Sequence, residues 1–375
     1  MKKTVKTKVF FKLILIGSVL HLGLLSSVSA QSTFKESNNH FARYTQDGKL
    51  DHLKEAKNFI DKTYQNKRDS NLARVNILRA MVYSSLAYSD STRTLEYEVD
   101  PIDITQASLK KIRKRDKYSH QHELSFIQQN LASAHVYAAE KAMEESDYET
   151  AFLHFKEVNK INPDNLDVLN NLALLSYQAE EYEEAEIYSS SIINSGEYDD
   201  NHYLQLAKVY RKQGNEQAEL ETLKKASEEF PESKEVIFRL VEVYVQNKDY
   251  PAIAEIIDRA IEFEPENVSL NYLAGYANEN QNRVNDAADY YEKVIALDEN
   301  SYKGNLALGL VELKTFLNDK ENQTAQYNAQ EYLLKANEIK PYEVSALKSL
   351  AVLYENTGND SQLDRVNLLL NQIDK

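Results

Sequence analysis

Hydrophobic and polar residues alternate along most of this chain with the spacing of an amphipathic α-helix. In the segment NPDNLDVLNNLALLSYQAEEYEEA, residues 162–185, apolar and small residues recur every three or four positions after a proline turn. This spacing places them on one face of a helix. The arrangement returns at regular intervals farther along the chain, which has only nine glycines and six prolines. The pattern predicts an all-α protein of repeated helix pairs.

The prolines give the length of the repeat. The period is about 34 residues, which is the interval between Pro231 and Pro265 and half the interval between Pro163 and Pro231. If the first repeat begins at Ala132, the next ones begin at 166, 200, 234 and 268. Two antiparallel helices approach closely only where the facing side chains are small. Small residues dominate the eighth position, and small or aliphatic residues dominate the 20th and 27th. These positions are Ala139, Ala173, Ala207, Val241 and Gly275; Ala151, Ala185, Glu219, Ile253 and Ala287; and Val158, Ile192, Ala226, Ala260 and Val294.

This pattern resembles the tetratricopeptide repeat, which has small residues at positions 8, 20 and 27, aromatic residues near 11 and 24, and proline at 32. Tyr210 and Tyr244 occupy position 11, and Phe155 and Tyr291 occupy position 24. The family's tryptophan at position 4 is missing, because the chain contains no tryptophan. The resemblance implies a right-handed superhelical solenoid of antiparallel helix pairs, with five regular repeats over residues 132–301.

Less regular helical segments flank this array. Pro341 comes eight residues later than the frame requires, which predicts an insertion near residues 318–323. Residues 302–375 are interpreted as C-terminal repeats with that insertion and a capping helix. Residues 31–131 are interpreted as variant N-terminal helical repeats, with a linker from about Asp90 to Asp103. Their segments LKEAKNFIDKTY and NLARVNILRAMVY resemble the opening of exported tetratricopeptide-repeat proteins of Gram-negative bacteria.

Residues 1–30 have the pattern of a secretory signal peptide. Five lysines precede an apolar stretch from Leu13 to Leu25, and the segment closes on Val28-Ser29-Ala30. The stretch is shorter than the roughly 20 apolar residues that a membrane-spanning helix needs. We expect cleavage near Gln31, an exported, periplasmic chain and no transmembrane segment after cleavage. An uncleaved membrane anchor is the alternative.

Composition and charge exclude several kinds of site. The chain has no cysteine, so a disulfide, a thiolate metal site and a cysteine nucleophile are all impossible. Its formal net charge of -15 becomes -20 without residues 1–30, which hold five lysines and no acid. Nucleic-acid affinity rests on Lys and Arg releasing counterions, so a strongly acidic chain is a poor match for it. We expect a protein or peptide partner, no nucleic acid and no cofactor.

The sequence contains no recognised catalytic or metal-binding motif. His120 and His122 lie close together, but Phe126 stands where a zinc-protease helix would need its second histidine. His135 and His154 are expected to have surface or packing roles. The basic run over residues 110–115 is either a solvated helix surface or a site for an acidic partner. We expect no enzymatic activity and no metal site.

The resemblance implies that the first helices of the repeats line a groove that takes a peptide or a partner's helix. Positions 2, 5, 6, 9, 12 and 13 of these helices are expected to face the groove. Arginine and tyrosine are common interface anchors and suit an acidic or aromatic peptide. Ordinary polar surface residues are the alternative reading. The candidate partner-binding residues are Asn170, Asn171, Lys208, Arg211, Arg239, Tyr272 and Tyr276.

The favoured function is a non-catalytic scaffold for protein interactions in the cell envelope. A glycan-binding or uptake component that uses tyrosine stacking is one alternative, and an enzyme with an unrecognised site is a less favoured one. Glycan binding requires a cluster of exposed aromatic rings. The sequence frame instead places the 25 tyrosines largely in the repeat core.

Overall fold

The structure, a computed structural model, describes residues 30–373, within which every regular element is a helix and no β-strand occurs. The predicted signal peptide therefore lies, except for Ala30, outside the described residues. The helices fall into two compact bodies that divide between Glu197 and Tyr198. We call them the N-terminal body and the C-terminal body. No helix within residues 30–373 is both long enough and apolar enough to cross a lipid bilayer.

The N-terminal body contains nine α-helices and a single 3-10 turn at Asp69–Asn71 among its described residues. Its helices are α1 (Ala30–Asp47), α2 (Leu50–Tyr64), α3 (Ala73–Ser89), α4 (Pro101–Lys110), α5 (Lys114–Tyr118), α6 (Gln121–Glu144), α7 (Tyr148–Ile161), α8 (Leu166–Gln178) and α9 (Tyr182–Ser195).

The C-terminal body contains ten further helices within its described residues. They are α10 (Asp200–Gln213), α11 (Glu216–Glu229), α12 (Lys234–Gln246), α13 (Tyr250–Phe263), α14 (Val268–Asn280), α15 (Val284–Leu297), α16 (Tyr302–Asn318), α17 (Gln323–Ile339), α18 (Val344–Thr357) and α19 (Asp360–Ile373).

The predicted all-α fold of repeated helix pairs is confirmed. The first helices α8, α10, α12 and α14 begin at residues 166, 200, 234 and 268, and the second helices from α7 to α15 follow at the same interval. Each first helix packs against the second helix of its own repeat, and most second helices pack against the next first helix. Short connections between neighbouring helices make each pair antiparallel.

Small side chains at the predicted positions form the contact between the paired helices. Ala151, Ala185 and Ala287 at position 20 are completely buried. At position 8 the fit is closest in the repeat that carries Gly275. A β-carbon added there would lie 2.5 Å from Cε1 of Tyr291, whose ring is also completely buried. Glycine is therefore the residue that leaves room for this ring.

Glu219 shows that the repeat register does not shift where alanine is missing from position 20. The sequence offers Ala218 one place earlier, but Glu219 takes the buried position and is only 4% exposed. Ala218 is half-buried. A carboxylate therefore occupies a site that is apolar in the other regular repeats, and it needs a buried partner there.

A left-handed residue ends the first helix of every regular repeat. Ser146, Glu180, Gly214, Lys248 and Asn282 all occupy position 15, and their φ values are 62°, 62°, 73°, 54° and 58° respectively. In each case the next residue donates its backbone N–H to the carbonyl five residues earlier, at 2.8 to 3.0 Å. This bond caps the helix end, and the left-handed conformation turns the chain into the second helix.

The insertion lengthens two helices and leaves their connection short. Helices α16 and α17 have 17 residues each, whereas α14 and α15 have 13 and 14. Only residues 319–322 separate α16 from α17, although the sequence pattern predicts that the polar run holds the extra residues. The added turn of α16 carries Phe316, which is 2% exposed. The burial of that ring favours the helical conformation of the added turn of α16.

The irregular part of the N-terminal body is a linker over residues 90–100, between α3 and α4. It begins at Asp90, whose carboxylate accepts hydrogen bonds from the backbone N–H of Thr94 at 2.8 Å and of Leu95 at 3.0 Å. Tyr97 donates its hydroxyl to the same carboxylate at 2.7 Å. Helix α3 packs against α2, α4 and α6, so this linker is fixed beside a conventional helical core.

Candidate protein-binding face

The seven predicted binding residues are divided between the two bodies. Asn170 and Asn171 lie on α8 of the N-terminal body, and the other five lie on α10, α12 and α14 of the C-terminal body. Asn171 is half-buried and donates its side-chain N–H to the carbonyl oxygen of Asp167 at 2.8 Å, one turn earlier in α8. Asn170 is also half-buried. One of the two amide N–H donors of Asn171 is thus already used within its own helix.

Lys208 and Arg211 are exposed on α10, as is the neighbouring Lys212. Across residues 30–373, no carboxylate lies within ion-pair distance of any of these three cations. Position 208 precedes the last turn of α10, while 211 and 212 lie within it. Cations in a last turn also interact favourably with the helix dipole. The three residues together present an uncompensated positive charge to solvent.

Arg239 differs from the other predicted cations because acidic side chains already neutralise it. Its guanidinium contacts the carboxylate of Glu219 and donates to Glu242 at 2.5 Å. The side chain of Arg239 is 13% exposed, and that of Glu219 is 5% exposed. Burial would lower the pKa of Arg239, but its bonds to the two carboxylates raise the pKa above its ordinary value. Arg239 is therefore the buried partner that Glu219 needs.

Tyr272 and Tyr276 form an aromatic cluster on α14. Their rings are stacked, with centroids 6.4 Å apart and an angle of 9° between planes. Tyr250 at the start of α13 meets the Tyr276 ring edge-on at 5.3 Å, and Lys303 lies 5.6 Å above the Tyr272 ring. Tyr272 is half-buried, while Tyr276 is 39% exposed. Tyr276 thus presents a ring to solvent on a support of two other rings.

The repeat register extends this face to residues that the sequence analysis did not select. At position 5, the first helices α10 to α16 all carry half-buried apolar side chains, which we call the inner row. At position 9, α14 to α18 carry exposed apolar side chains, which we call the outer row. The outer row could have been identified from the sequence by continuing the 34-residue repeat numbering past the insertion. The inner row is Leu204, Phe238, Tyr272 and Leu306, and the outer row is Tyr276, Leu310 and Val352.

The tyrosines are much less buried than the sequence frame predicts. Of the 25 in the chain, all of which lie in the described range, only five are buried: Tyr83, Tyr203, Tyr244, Tyr291 and Tyr354. The expectation that they lie largely in the core is wrong. A phenol can pack its ring on an apolar surface while its hydroxyl stays in water, so positions near the core do not require full burial.

Residues of the other polar clusters singled out in the sequence are mostly paired with nearby side chains. His120 lies 3.2 Å from Glu123, and Arg113 donates to Asp116 at 2.9 Å. Lys111, in the basic run, lies 4.7 Å above the ring of Tyr64. Among the described residues, no group of three or more histidine or acidic side chains is arranged to hold a metal ion.

A cavity of about 480 Å³ in the N-terminal body brings His135 and His154 together. Their Nδ1 atoms are 2.9 Å apart, so one imidazole donates to the other. Burial, and to a smaller extent the nearby His154, lowers the pKa of His135 to about 4. Burial also lowers the pKa of His154. At neutral pH the two rings therefore form an uncharged, hydrogen-bonded pair.

A second cavity, of about 550 Å³, lies in the C-terminal body beside α15, α16 and α17. Tyr327 and Tyr332 line it together with Gln330 and Glu331. Tyr327 is 68% exposed. Aromatic rings beside amide and carboxylate groups thus occur on a second-helix surface as well as on the first helices.

Comparisons with known proteins give the same repeat. Residues 142–208, 203–233 and 238–302 match profiles of the tetratricopeptide repeat. No curated protein sequence matches the chain.

Solved structures similar to this chain include MamA MSR-1, with 22% sequence identity and a TM-score of 0.35, over 47% of this chain and 97% of that one. MamA 41-end from Desulfovibrio magneticus RS-1 has 17% identity and a TM-score of 0.34, over 48% and 97%. The C-terminal part of a TPR repeat-containing protein from Cytophaga hutchinsonii has 15% identity and a TM-score of 0.44, over 63% and 94%. By its matched segments and its helix pairs, this chain contains tetratricopeptide repeats.

Proposed function

We propose that this protein is a non-catalytic scaffold of the cell envelope that binds a peptide or partner helix on the first helices of its C-terminal body. The tetratricopeptide repeats support an interaction role. The observation that carries the choice of face is the exposure of Lys208, Arg211 and Tyr276 on the first helices α10 and α14. Export of the chain is supported by the signal-peptide pattern of residues 1–30.

Site-specific photo-crosslinking in the native envelope tests the binding face. A photoreactive residue at Tyr276 or Lys208 is expected to capture a discrete protein. The matched control is the same group at Lys293, which is exposed on the second helix α15. Capture from position 293 but not from 276 or 208 would move the interface to the second helices.

The cellular location needs its own measurement. We expect the chain to be released with the periplasmic fraction and its N-terminus to begin near Gln31. A chain that retains Met1 and stays in the cytoplasm would refute the envelope assignment while leaving the binding face open to test.

Glycan binding is a second candidate, favoured by the cavity that Tyr327 and Tyr332 line beside Gln330 and Glu331. Exposed aromatic rings next to amide and carboxylate groups suit a sugar's apolar face and hydroxyls. A glycan array tests this function. A saccharide whose binding is lost on Tyr327→Ala but kept on Tyr276→Ala would support this function. The function would be rejected if the chain binds no saccharide on the array.

A further inference from the structure

We infer that the partner of the C-terminal body is an acidic segment that also carries apolar side chains, arranged so that its acidic part lies over α10 and its apolar part over α14, α16 and α18. This inference rests on the proposed binding to the first-helix face and specifies the chemistry of the partner.

The apolar requirement follows from the inner and outer rows. Four consecutive first helices supply the half-buried inner row, so the floor of this face is apolar over four repeats. Tyr276, Leu310 and Val352 of the outer row are 39%, 37% and 38% exposed. They occupy the same position in three successive first helices, so they lie on equivalent faces. Repeated exposure of large apolar side chains on one face is typical of an interaction surface.

The acidic requirement follows from the cations at the other end of this face. Lys208, Arg211 and Lys212 are exposed on α10, and within the described part of the chain none of them has an ion-pair partner. The whole chain carries a net charge of -15. Uncompensated cations in such an acidic protein create a local positive potential that attracts negatively charged groups.

The charges between these two ends explain why the acidic part of the partner is placed over α10. Glu242, at position 9 of α12, is bound by Arg239 at 2.5 Å, and Glu279 accepts the hydroxyl of Tyr291 at 2.9 Å. Glu235 is exposed on α12, between the two ends, and Glu355 is exposed on α18, at the apolar end. Acidic groups of a partner would be repelled near Glu235 and Glu355. Exposed lysines also lie on α16 and α18, at Lys303, Lys314 and Lys348, but only α10 groups three cations within residues 208–212.

The spacing of the helices sets the length of the segment. Lys208 and Val352 are separated by four repeat steps, and packed helices lie about 8 to 10 Å apart. The face therefore spans roughly 32 to 40 Å, and an extended chain covers about 3.3 Å per residue. A segment of about 12 residues is long enough to reach from the cations to the end of the outer row.

Selection from a random dodecapeptide library, using the purified chain from Gln31 onward, tests this inference. Selected peptides are expected to be enriched in Asp and Glu toward one end and in Leu, Phe and Tyr toward the other. Individual binders are then measured by fluorescence anisotropy, where raising the salt concentration is expected to weaken binding.

Charge exchange separates specific recognition from general stickiness. The triple variant Lys208→Glu, Arg211→Glu and Lys212→Glu is expected to bind the selected acidic peptides with at least about tenfold lower affinity. It is expected to bind versions of these peptides with Lys in place of the acidic residues more tightly than the original chain does. The double variant Leu310→Ser and Val352→Ser is expected to lower the affinity for both peptide versions to the same extent. Lys293→Glu and Leu334→Ser, on exposed second-helix positions, are the matched controls and should change neither affinity.

The possible results separate the partner's chemistry from the choice of face. Enrichment of basic or purely polar peptides that lose affinity on Leu310→Ser and Val352→Ser would overturn the acidic, apolar partner while keeping the proposed binding face. Selected peptides that are insensitive to both sets of first-helix variants would overturn the face as well. Circular dichroism of each variant shows that a loss of binding is not a loss of fold.

Discussion

The close contact between Gly275 and Tyr291 predicts that adding one methyl group to Gly275 has opposite effects in two backgrounds. A β-carbon at position 275 would lie 2.5 Å from Cε1 and 2.7 Å from Cδ1 of Tyr291. That ring is completely buried and its hydroxyl donates to Glu279 at 2.9 Å, so it has little freedom to move. Overpacking a core in this way costs about 1 to 3 kcal/mol.

Helix propensity acts in the other direction. Alanine is about 1 kcal/mol more favourable than glycine inside a helix. Gly275→Ala is therefore expected to lower the free energy of unfolding by about 1 kcal/mol in the original chain. In a Tyr291→Leu background the clash is removed, and the same substitution is expected to raise the free energy of unfolding by up to about 1 kcal/mol. The coupling between the two sites is then about 2 kcal/mol.

Urea unfolding followed by far-UV circular dichroism measures all four members of this cycle. Another repeat provides the control, because Ala207 stands at position 8 and Leu223 at position 24, and both are buried. Ala207→Gly should destabilise the chain by about 1 kcal/mol or more. A Gly275→Ala substitution that stabilises the original chain, or that has the same effect in both backgrounds, would refute the steric argument.

Three further predictions concern the ion pair, the turns and the histidine pair. Arg239→Ala should lower the free energy of unfolding in urea by about 3 kcal/mol by leaving the buried Glu219 unpaired, and Arg239→Ala with Glu219→Ala should recover part of that loss. Lys248 has a left-handed backbone with a φ of 54°, which glycine adopts without steric cost. Lys248→Gly should therefore raise the free energy of unfolding by about 0.5 to 1 kcal/mol and raise the thermal midpoint, whereas Lys248→Ala should raise neither. The pKa of His135 is about 4 in the folded chain and near 6.5 when unfolded, so the unfolded state binds more protons and stability should fall as the pH drops from about 6.5 to 4. His135→Gln should flatten that part of the stability profile measured in urea.

Arg239 also limits how the binding face can be tested. A charge reversal that includes Arg239 together with Lys208 and Arg211 would disturb the fold as well as the face. The side chain of Glu219 is only 5% exposed, so a reversed charge at 239 would place two carboxylates side by side in a buried site. Charge reversal on α10 alone avoids this, because Lys208 and Arg211 are exposed and unpaired within the described structure.

The sequence was sufficient for the fold class because the repeat applies the same packing constraint many times. Small residues at positions 8, 20 and 27 and prolines between repeats indicated the helix pairs and their regular interval. A polar residue also caps the start of α8, since Asn165 accepts the backbone N–H of Val168 at 3.1 Å. Each of these signals depends on local chain geometry, which a sequence pattern records directly.

The seven candidate binding residues remain predictions, and the structure separates them in ways that spacing alone could not. Lys208 and Arg239 are both cations on first helices, yet one is exposed and the other is bound to Glu219. Whether a charge is free depends on a side chain that another helix contributes. The positions of the outer row could be reached by continuing the repeat frame across the insertion, but the exposure of its side chains is a property of the tertiary structure.

The sequence by itself determined that this chain is a series of helix pairs, since hydrophobic spacing and small residues specify which helix faces pack together. Only the tertiary structure decided how each repeat departs from that common plan. It placed Glu219 in the core opposite Arg239, fitted Tyr291 over Gly275, and turned the insertion into longer helices. The physical reason is that these outcomes depend on volume and charge contributed by neighbouring helices, which no single segment of the chain contains.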